Sequence, residues 1–546
     1  MPDDSFHVFD TTLRDGAQRE GVNLTVADKL AIAKLLDEFG VGFIEGGWPG
    51  ANPKDTEFFQ RASRELPLRH AQLTAFGATR RAGAQAADDP QVAALRDSGA
   101  PVVTLVAKSD VRHVERALRT TLDENLAMIA DTVAHLRDSG QRVFLDCEHF
   151  FDGYHYDPDY AVRVVRTAAE AGTDVVVLCD TNGGMLPSDI TRVVTEVQEA
   201  TGARLGIHAQ DDTGCAVANT LAAVDAGVSH VQCTANGYGE RVGNANLFSV
   251  VPALALKHGR PVLPDGCLQE MTRVSLAIAE LVNIAPATHQ PYVGISAFAH
   301  KAGLHASAIK VDPDLYQHMD PTLVGNDMRM LVSDMAGRAS VELKAKELGL
   351  DLGGDREMLG RVVERVKTLE QAGYSFEAAD ASLELLLREE LGRKVRYFET
   401  ESWRVIAERT ATESAATPGV SEGAAPLAPA AGTAVSEATV KLHVKGERVI
   451  ATAEGNGPVN ALDRALRSAV EGVYTALAGL ELTDYKVRIL EGASGTAAIT
   501  RILVTFSDGR SEWTTVGVGE NVIDASWIAL EQAVCYGLLQ QGYPVP

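Results

Sequence analysis

Arg14 and Asp15 sit side by side in FDTTLRDGAQ, Phe9 to Gln18, directly after a short apolar run. The planar fork of Arg14 suits a carboxylate or a polarised carbonyl oxygen. Asp15 offers hard oxygen to a divalent cation. Alone, the pair reads equally well as a surface ion pair. Further along, polar residues capable of chemistry recur at similar places. They are Glu45, Thr104, Glu148 with His149, and Asp180-Thr181-Asn182. His208, Gln210 and Asp212 follow, then Asn236, Glu240, Arg241 and Asn244. Together they offer proton-transfer groups, metal-ligating oxygens and a nitrogen ligand, and donors for an anionic substrate. Thr104 is a candidate for holding that substrate.

Each of these groups closes a short run rich in β-branched residues. The runs are Phe6–Phe9, Gly42–Glu45, Ala71–Phe76, Val102–Val106, Arg142–Glu148, Asp174–Asp180, Arg204–His208 and His230–Cys233. Helical patterns lie between them at Val26–Phe39, Thr121–Ser139, Pro158–Ala171, Pro187–Ala200 and Thr213–Ala226. Helix starts are marked at Thr25, Asp157 and Ser188, and stops at Gly40, Gly140, Gly172 and Gly227. Strands that alternate with helices form parallel βαβ units. Eight such units within 1–260 predict an α/β fold, a (β/α)8 TIM barrel whose strand ends share one mouth. A doubly wound sheet would want a glycine fingerprint after the first strand, and DTTLRDG is not one.

The rest of the 546-residue chain divides by composition. Residues 261–410 read as helical subdomains covering the site, with His300, Lys301, His305, Tyr316 and His318 clustered between Ala297 and Pro321. Ala411–Glu437 is rich in Ala, Pro, Ser, Thr and Gly and reads as a flexible linker. Residues 438–546 form a further α+β domain with a weak internal repeat. Val449–Ala453 leads into GNGPVNALDRAL, and Trp513–Val518 into GVGENVIDASWIAL. Each glycine-flanked turn opens a helix whose N-terminus can receive an anion. Asn456, Val459, Asn460, Val522 and Ile523 are the candidates for a small effector there.

A formal charge of −24 argues against non-specific nucleic-acid binding. The six cysteines are scattered with no CxxC pair, so neither a zinc ribbon nor a disulfide framework is expected. Cys147, Cys179 and Cys233 fall inside strand-like runs and should pack as small hydrophobes. The N-terminus lacks an apolar signal segment and no run is expected to span a bilayer, which makes the cytoplasm the expected location.

Three stretches carry a resemblance: FDTTLRDGAQ, IHAQDDTGCAVANTLAAVDAG (Ile207–Gly227) and NGYGERVGNANL (Asn236–Leu247). They resemble the 2-isopropylmalate synthase, homocitrate synthase and citramalate synthase family, barrel enzymes that condense acetyl-CoA with a 2-oxo acid. The two C-terminal repeats resemble that family's allosteric domain. IEGGWPGANPKDTEFF and DCEHFFDGYHYDP resemble the branch that uses pyruvate. The resemblance implies an acyltransferase: a Claisen condensation followed by thioester hydrolysis. It implies Asp15, His208 and Asn244 as metal ligands and Arg14 beside the oxygen on which charge develops. Thr181 would hold the substrate carboxylate, Glu148 and His305 would transfer protons, and Tyr316 would reach in from the lid region. It further implies a homodimer with an amino acid effector, isoleucine or leucine, in branched-chain amino acid biosynthesis. Where the family motif reads His-x-His, this chain has His208-Ala209-Gln210. Glutamine oxygen suits Mg2+ or Mn2+ better than Zn2+. The alternatives are 2-oxoisovalerate as acceptor, a barrel that binds oxo acid or acyl-CoA without turnover, and a lyase running the reverse bond chemistry.

Overall fold

The computed structural model describes residues 4–352, 355–409, 434–490 and 498–546. Contacts divide the chain into two compact units. The first comprises Met1–Phe298 and Met319–Met328, the second Ala299–His318 and Arg329–Pro546.

The first unit is the expected barrel. Its strands are β1 (His7–Asp10), β2 (Phe43–Gly47), β3 (Gln72–Ala78), β4 (Val102–Lys108), β5 (Arg142–Glu148), β6 (Val175–Asp180), β7 (Leu205–Ala209) and β8 (His230–Cys233). They pair in parallel and close, with β8 hydrogen-bonded to β1. Burial on both faces makes these strands almost continuously apolar rather than alternating. The interior holds Phe9, Phe43, Val102, Phe144, Val175 and Val177. The outer face packs on the helix ring. The helix Val26–Phe39, for example, opens with a reciprocal Thr25–Asp28 capping box and ends on left-handed Gly40. Cys147, Cys179 and Cys233 are buried, as expected for small hydrophobes.

The second unit revises the expected boundaries. Strand β9 (Ala299–His300) pairs with β10 (Arg329–Met330), which assigns the His305 segment to this unit rather than to a region starting at 261. The larger correction concerns 411–437. Strand β11 (Phe398–Arg409) pairs antiparallel with β12 (Ala434–Val444) along its whole length, from Phe398 opposite Val444 to Arg409 opposite Ala434. The Ala/Pro-rich stretch therefore joins two neighbouring strands of one sheet instead of separating two domains, and Ala434–Glu437 belongs to β12. Residues 410–433 lie outside the described residues. Strand β13 (Glu447–Gly455) completes this sheet through a Lys445-Gly446 turn whose two residues both have positive φ, as a tight hairpin requires.

The second copy of the repeat is β14 (Glu481–Ile489), β15 (Thr500–Ser507) and β16 (Glu512–Gly519). The helices Pro458–Val470 and Val522–Gln540 follow β13 and β16, so the internal repeat is a real pair of sheet-and-helix modules. The 19-residue Val522–Gln540 is long and apolar enough to cross a membrane, contrary to the expectation that no run is. Its Ala525, Trp527, Leu530, Val534 and Leu538 are buried in the same core as Ile502, Val504 and Phe506, which makes it a core helix.

Candidate active site

The C-terminal strand ends surround a cavity of about 630 Å³. Arg14, Asp15, Glu148, Thr181, His208 and Gln210 all line it, so most of the residues singled out by type do converge. Thr104 does not. It is fully buried in β4, where alternation puts Val106 and Lys108 at the cavity and Thr104 one layer deeper in the barrel. As a substrate-binding candidate it is corrected by register.

Asp15 is the centre of the first cluster. Its Oδ2 accepts from Asn244 Nδ2 at 2.7 Å and Gln210 Nε2 at 3.2 Å, and lies 3.1 Å from His208 Nε2. Burial would push the Asp15 carboxyl up, but the Arg14 guanidinium and His208 outweigh it and hold it far below the usual range. Burial disfavours the His208 cation, and the hydrogen bond to Asp15 overcomes it, so the imidazole is raised. Gln210 Oε1 and Asn244 Oδ1 are buried without a partner. Amide oxygen and nitrogen are interchangeable by a flip of the group. Turned over, both orphaned oxygens face Asp15 and His208. Two amide oxygens, a carboxylate and one imidazole then converge, a donor set that fits a hard divalent cation. Among the described residues no group of three or more His, Cys, Asp or Glu side chains could hold a metal, so the amides are essential to this set. Gly239 makes room for it, because a Cβ there would lie 1.9 Å from Asn244 Oδ1.

Three residues around this site were not singled out by sequence. His208 Nδ1 lies 2.8 Å from Gln232 Oε1, and Gln232 Nε2 donates to Asp146 Oδ1 at 2.8 Å. The chain Asp146–Gln232–His208 fixes the imidazole with Nε2 toward Asp15. Burial, with Glu45 nearby, pushes the Asp146 carboxyl up to about 7. The third is Lys108, whose ammonium pairs with the Glu148 carboxylate. The signal available was a polar residue at an inward strand position, as in His-Val-Gln-Cys of β8. Glu45 belongs here too. It is fully buried, and its Oε2 accepts from Arg14 Nε and from Thr11 Oγ1, both at 2.6 Å. That pair and the Phe76 ring, 4.0 Å from the guanidinium carbon, hold Arg14 at the cavity, with its Nη1 3.4 Å from Asp15 Oδ1.

Thr181 Oγ1 accepts from the His149 N–H at 2.8 Å, which leaves its hydroxyl proton to donate. His149 adopts φ +57, a left-handed turn that follows Glu148 directly. Arg241, at φ +54, donates to Asp212 and to the Thr181 carbonyl at 2.8 Å. Strained backbone of this kind clusters at functional sites. Asp180 and Asn182 serve the scaffold: Asp180 accepts from Gly184 and Met185 N–H, and Asn182 donates to Asp152.

His305 and Tyr316 belong to the second unit, where their rings stack with centroids 4.1 Å apart. There the effector candidates fall on two turns. Asn456 N–H donates to Asn460 Oδ1 at 3.3 Å, Val522 is exposed, and Val459 and Ile523 are half-buried. A cavity of about 300 Å³ in this unit is lined by other residues, among them Leu386, Val395, Arg396, Ile528 and Glu531.

A parallel barrel carrying Arg-Asp after its first strand and an Asp/His/amide cluster at its mouth defines a class. Residues 5–278 match the HMGL-like family, 292–373 the homocitrate synthase post-HMGL domain-like family, and 427–538 the LeuA allosteric (dimerisation) domain. An (R)-citramalate synthase of Streptomyces coelicolor is 72% identical over 99% of this chain and 98% of its own. One from Aquifex aeolicus is 46% identical over 98% of both chains. A probable 2-isopropylmalate synthase of Methanopyrus kandleri is 32% identical over the same shares. The chain belongs to the HMGL-like barrel family and, within it, to the family of the (R)-citramalate synthases.

Proposed function

We propose that the protein condenses acetyl-CoA with pyruvate and hydrolyses the thioester, releasing citramalate and CoA. The observation that carries this is the 72% identity with a citramalate synthase across nearly the whole chain, over a barrel mouth that holds the groups the reaction needs. The drop to 32% against a 2-isopropylmalate synthase supports pyruvate over 2-oxoisovalerate.

The chain's own residues divide the work as follows. The Thr181 hydroxyl proton holds the oxo acid carboxylate. Glu148 removes a proton from the acetyl methyl, and the carbanion attacks the ketone carbon of pyruvate. Arg14, oriented by Glu45, donates to the oxygen on which negative charge develops. Proton delivery by His305 with Tyr316 rests on the family resemblance. A divalent cation held by Asp15, His208, Gln210 and Asn244 would supply Lewis acidity toward the oxo acid. Three oxygen donors to one nitrogen favour Mg2+ or Mn2+ over Zn2+. The match at 427–538 supports a homodimer and an amino acid effector, with isoleucine as end product of this route and leucine as the alternative. Work in the cytoplasm completes the reading.

The test is CoA release from acetyl-CoA across a panel of 2-oxo acids, after chelation and return of Mg2+, Mn2+ or Zn2+. Pyruvate with Mg2+ or Mn2+ should be fastest. Preference for 2-oxoisovalerate would make the protein an isopropylmalate synthase. No release with any oxo acid would leave a binding protein.

A further inference from the structure

Resting on the acetyl-CoA reading, we propose that Arg81, on the loop after β3, is the phosphate anchor for coenzyme A. A protein of formal charge −24 that takes a polyanionic substrate needs a local cation to receive it. Five cationic side chains line the barrel cavity, and four are already paired: Arg14 with Glu45, Arg80 with Asp131 and Glu124, Lys108 with Glu148, and Arg241 with Asp212. Arg81 is the fifth. Its guanidinium has no carboxylate partner among the described residues, and the residue is exposed at the rim.

The loop that presents it is built to stay in place. Neighbouring Arg80 is buried and donates to Asp131 at 2.6 Å and Glu124 at 2.8 Å, both on the helix Leu122–Asp138. The same two carboxylates accept from the backbone N–H groups of Ala86 and Gly83. The Arg81 N–H donates to Asp89 Oδ2 at 2.9 Å. One arginine is thus spent on fixing the loop, and the next is held beside the cavity with its charge unused. Bidentate recognition of phosphate is the chemistry a free guanidinium does best. The deep end of the cavity holds the groups assigned to the oxo acid and the acetyl methyl. An acyl-CoA entering thioester first would leave its phosphates at the rim, where Arg81 stands.

The test is calorimetry of CoA and of pantetheine, which lacks the phosphates, on the intact protein and on Arg81→Gln and Arg81→Lys. Arg81→Gln should weaken CoA binding about tenfold, the loss of one charge-assisted partner. Pantetheine should bind all three alike, and Arg81→Lys should recover part of the loss. In turnover, KM for acetyl-CoA should rise while kcat and KM for pyruvate hold. CoA affinity unchanged in Arg81→Gln, an equal loss for pantetheine, or a rise confined to KM for pyruvate would each overturn the proposal. CoA binding that depends on Arg81 in a protein that releases no CoA from any oxo acid pair would uphold the anchor and overturn the synthase reading.

Discussion

Asp10 shows how a carboxylate at a strand end can serve the scaffold rather than the site. It closes β1 and looks like a further carboxylate for chemistry, yet it is fully buried and accepts from the Thr12 N–H at 2.9 Å and the Thr12 hydroxyl at 2.8 Å. Thr12 in turn accepts from the Ala235 N–H at 2.7 Å, which ties the β1 turn to the β8 turn. Burial, with Glu45 adding to it against the Thr12 hydrogen bonds, pushes the Asp10 carboxyl from 3.8 up to about 7. Between those two values the unfolded chain has lost a proton that the folded one keeps. Stability therefore falls as pH rises from about 4 to about 7 and levels above it. Asp10→Asn, which does not titrate, should gain on the parent across that window, by a few kcal/mol at most. Urea midpoints of both proteins at pH 5, 6, 7 and 8 would read this, and parallel curves would show that Asp10 is ionised throughout. The residues that went unseen differ in kind. Gln232, Asp146 and Lys108 act through neighbours on other strands, and strand register, not local sequence, brings them to His208 and Glu148. Arg14, Asp15 and Gln210 were legible because each sits in a motif just past a strand end, where a barrel must expose it.

Among the elements, the eight barrel strands were readable because each is a short apolar run, most of them with a polar residue at or just past the end, and four helix stops carry glycine. Strand β11 was missed because Trp403, Val405, Ile406 and Ala407 do not alternate strictly with polar residues and its partner lies beyond a stretch with no pattern of its own. The paired glycine turns were seen, but their purpose is packing rather than turning alone. A Cβ at Gly517 in β16 would lie 1.9 Å from the Ala525 carbonyl oxygen and 2.9 Å from the Ala529 N–H. At Gly455, which ends β13 in the first copy as Gly519 ends β16 in the second, it would meet Ala461 N at 2.5 Å. In both modules the glycine lets the following helix press its first turns onto the sheet. Gly517→Ala should therefore cost about 1–3 kcal/mol by overpacking. Gly509→Ala, where nothing lies within 4 Å but φ is +80, should cost less, about 1 kcal/mol. Thermal unfolding of the two variants checks the order, and an equal or reversed loss would show that the helix shifts freely on the sheet.

At the scale of the whole chain, the second unit behaves as one body across the Ala/Pro-rich stretch, and that changes how control by an effector can be tested. Ser382, well ahead of that stretch, accepts from the Val516 N–H at 2.9 Å and donates to Gln532 at 2.6 Å, both far beyond it. Tyr536 donates to Glu384 at 2.8 Å, and the Tyr397 hydroxyl to the Tyr543 carbonyl at 2.6 Å. Val516 shares a buried cluster with Phe376, Leu383 and Leu387, and Phe398 shares one with Leu462 and Leu530. A chain ended near Ala411 would keep β11 with no β12 to pair it, and would uncover the apolar face of the helix Asp380–Glu390. An unpaired, partly apolar edge strand is a site for aggregation. Such a chain should lose helical signal beyond the residues removed and associate on gel filtration, so a missing response to isoleucine there would reflect lost structure. The informative measurement uses the full chain. Isoleucine should bind by calorimetry and slow CoA release from acetyl-CoA and pyruvate, with a coupling of about 1–3 kcal/mol between effector and substrate. Pyruvate, by the same linkage, should weaken isoleucine by the same factor. Val522→Asp, an exposed change at the second turn, should lower isoleucine affinity and leave the uninhibited rate alone if the effector sits at the turns. Unaltered affinity in that variant would move the site elsewhere in the unit, and no binding of isoleucine or leucine to the full chain would leave the C-terminal modules an assembly device.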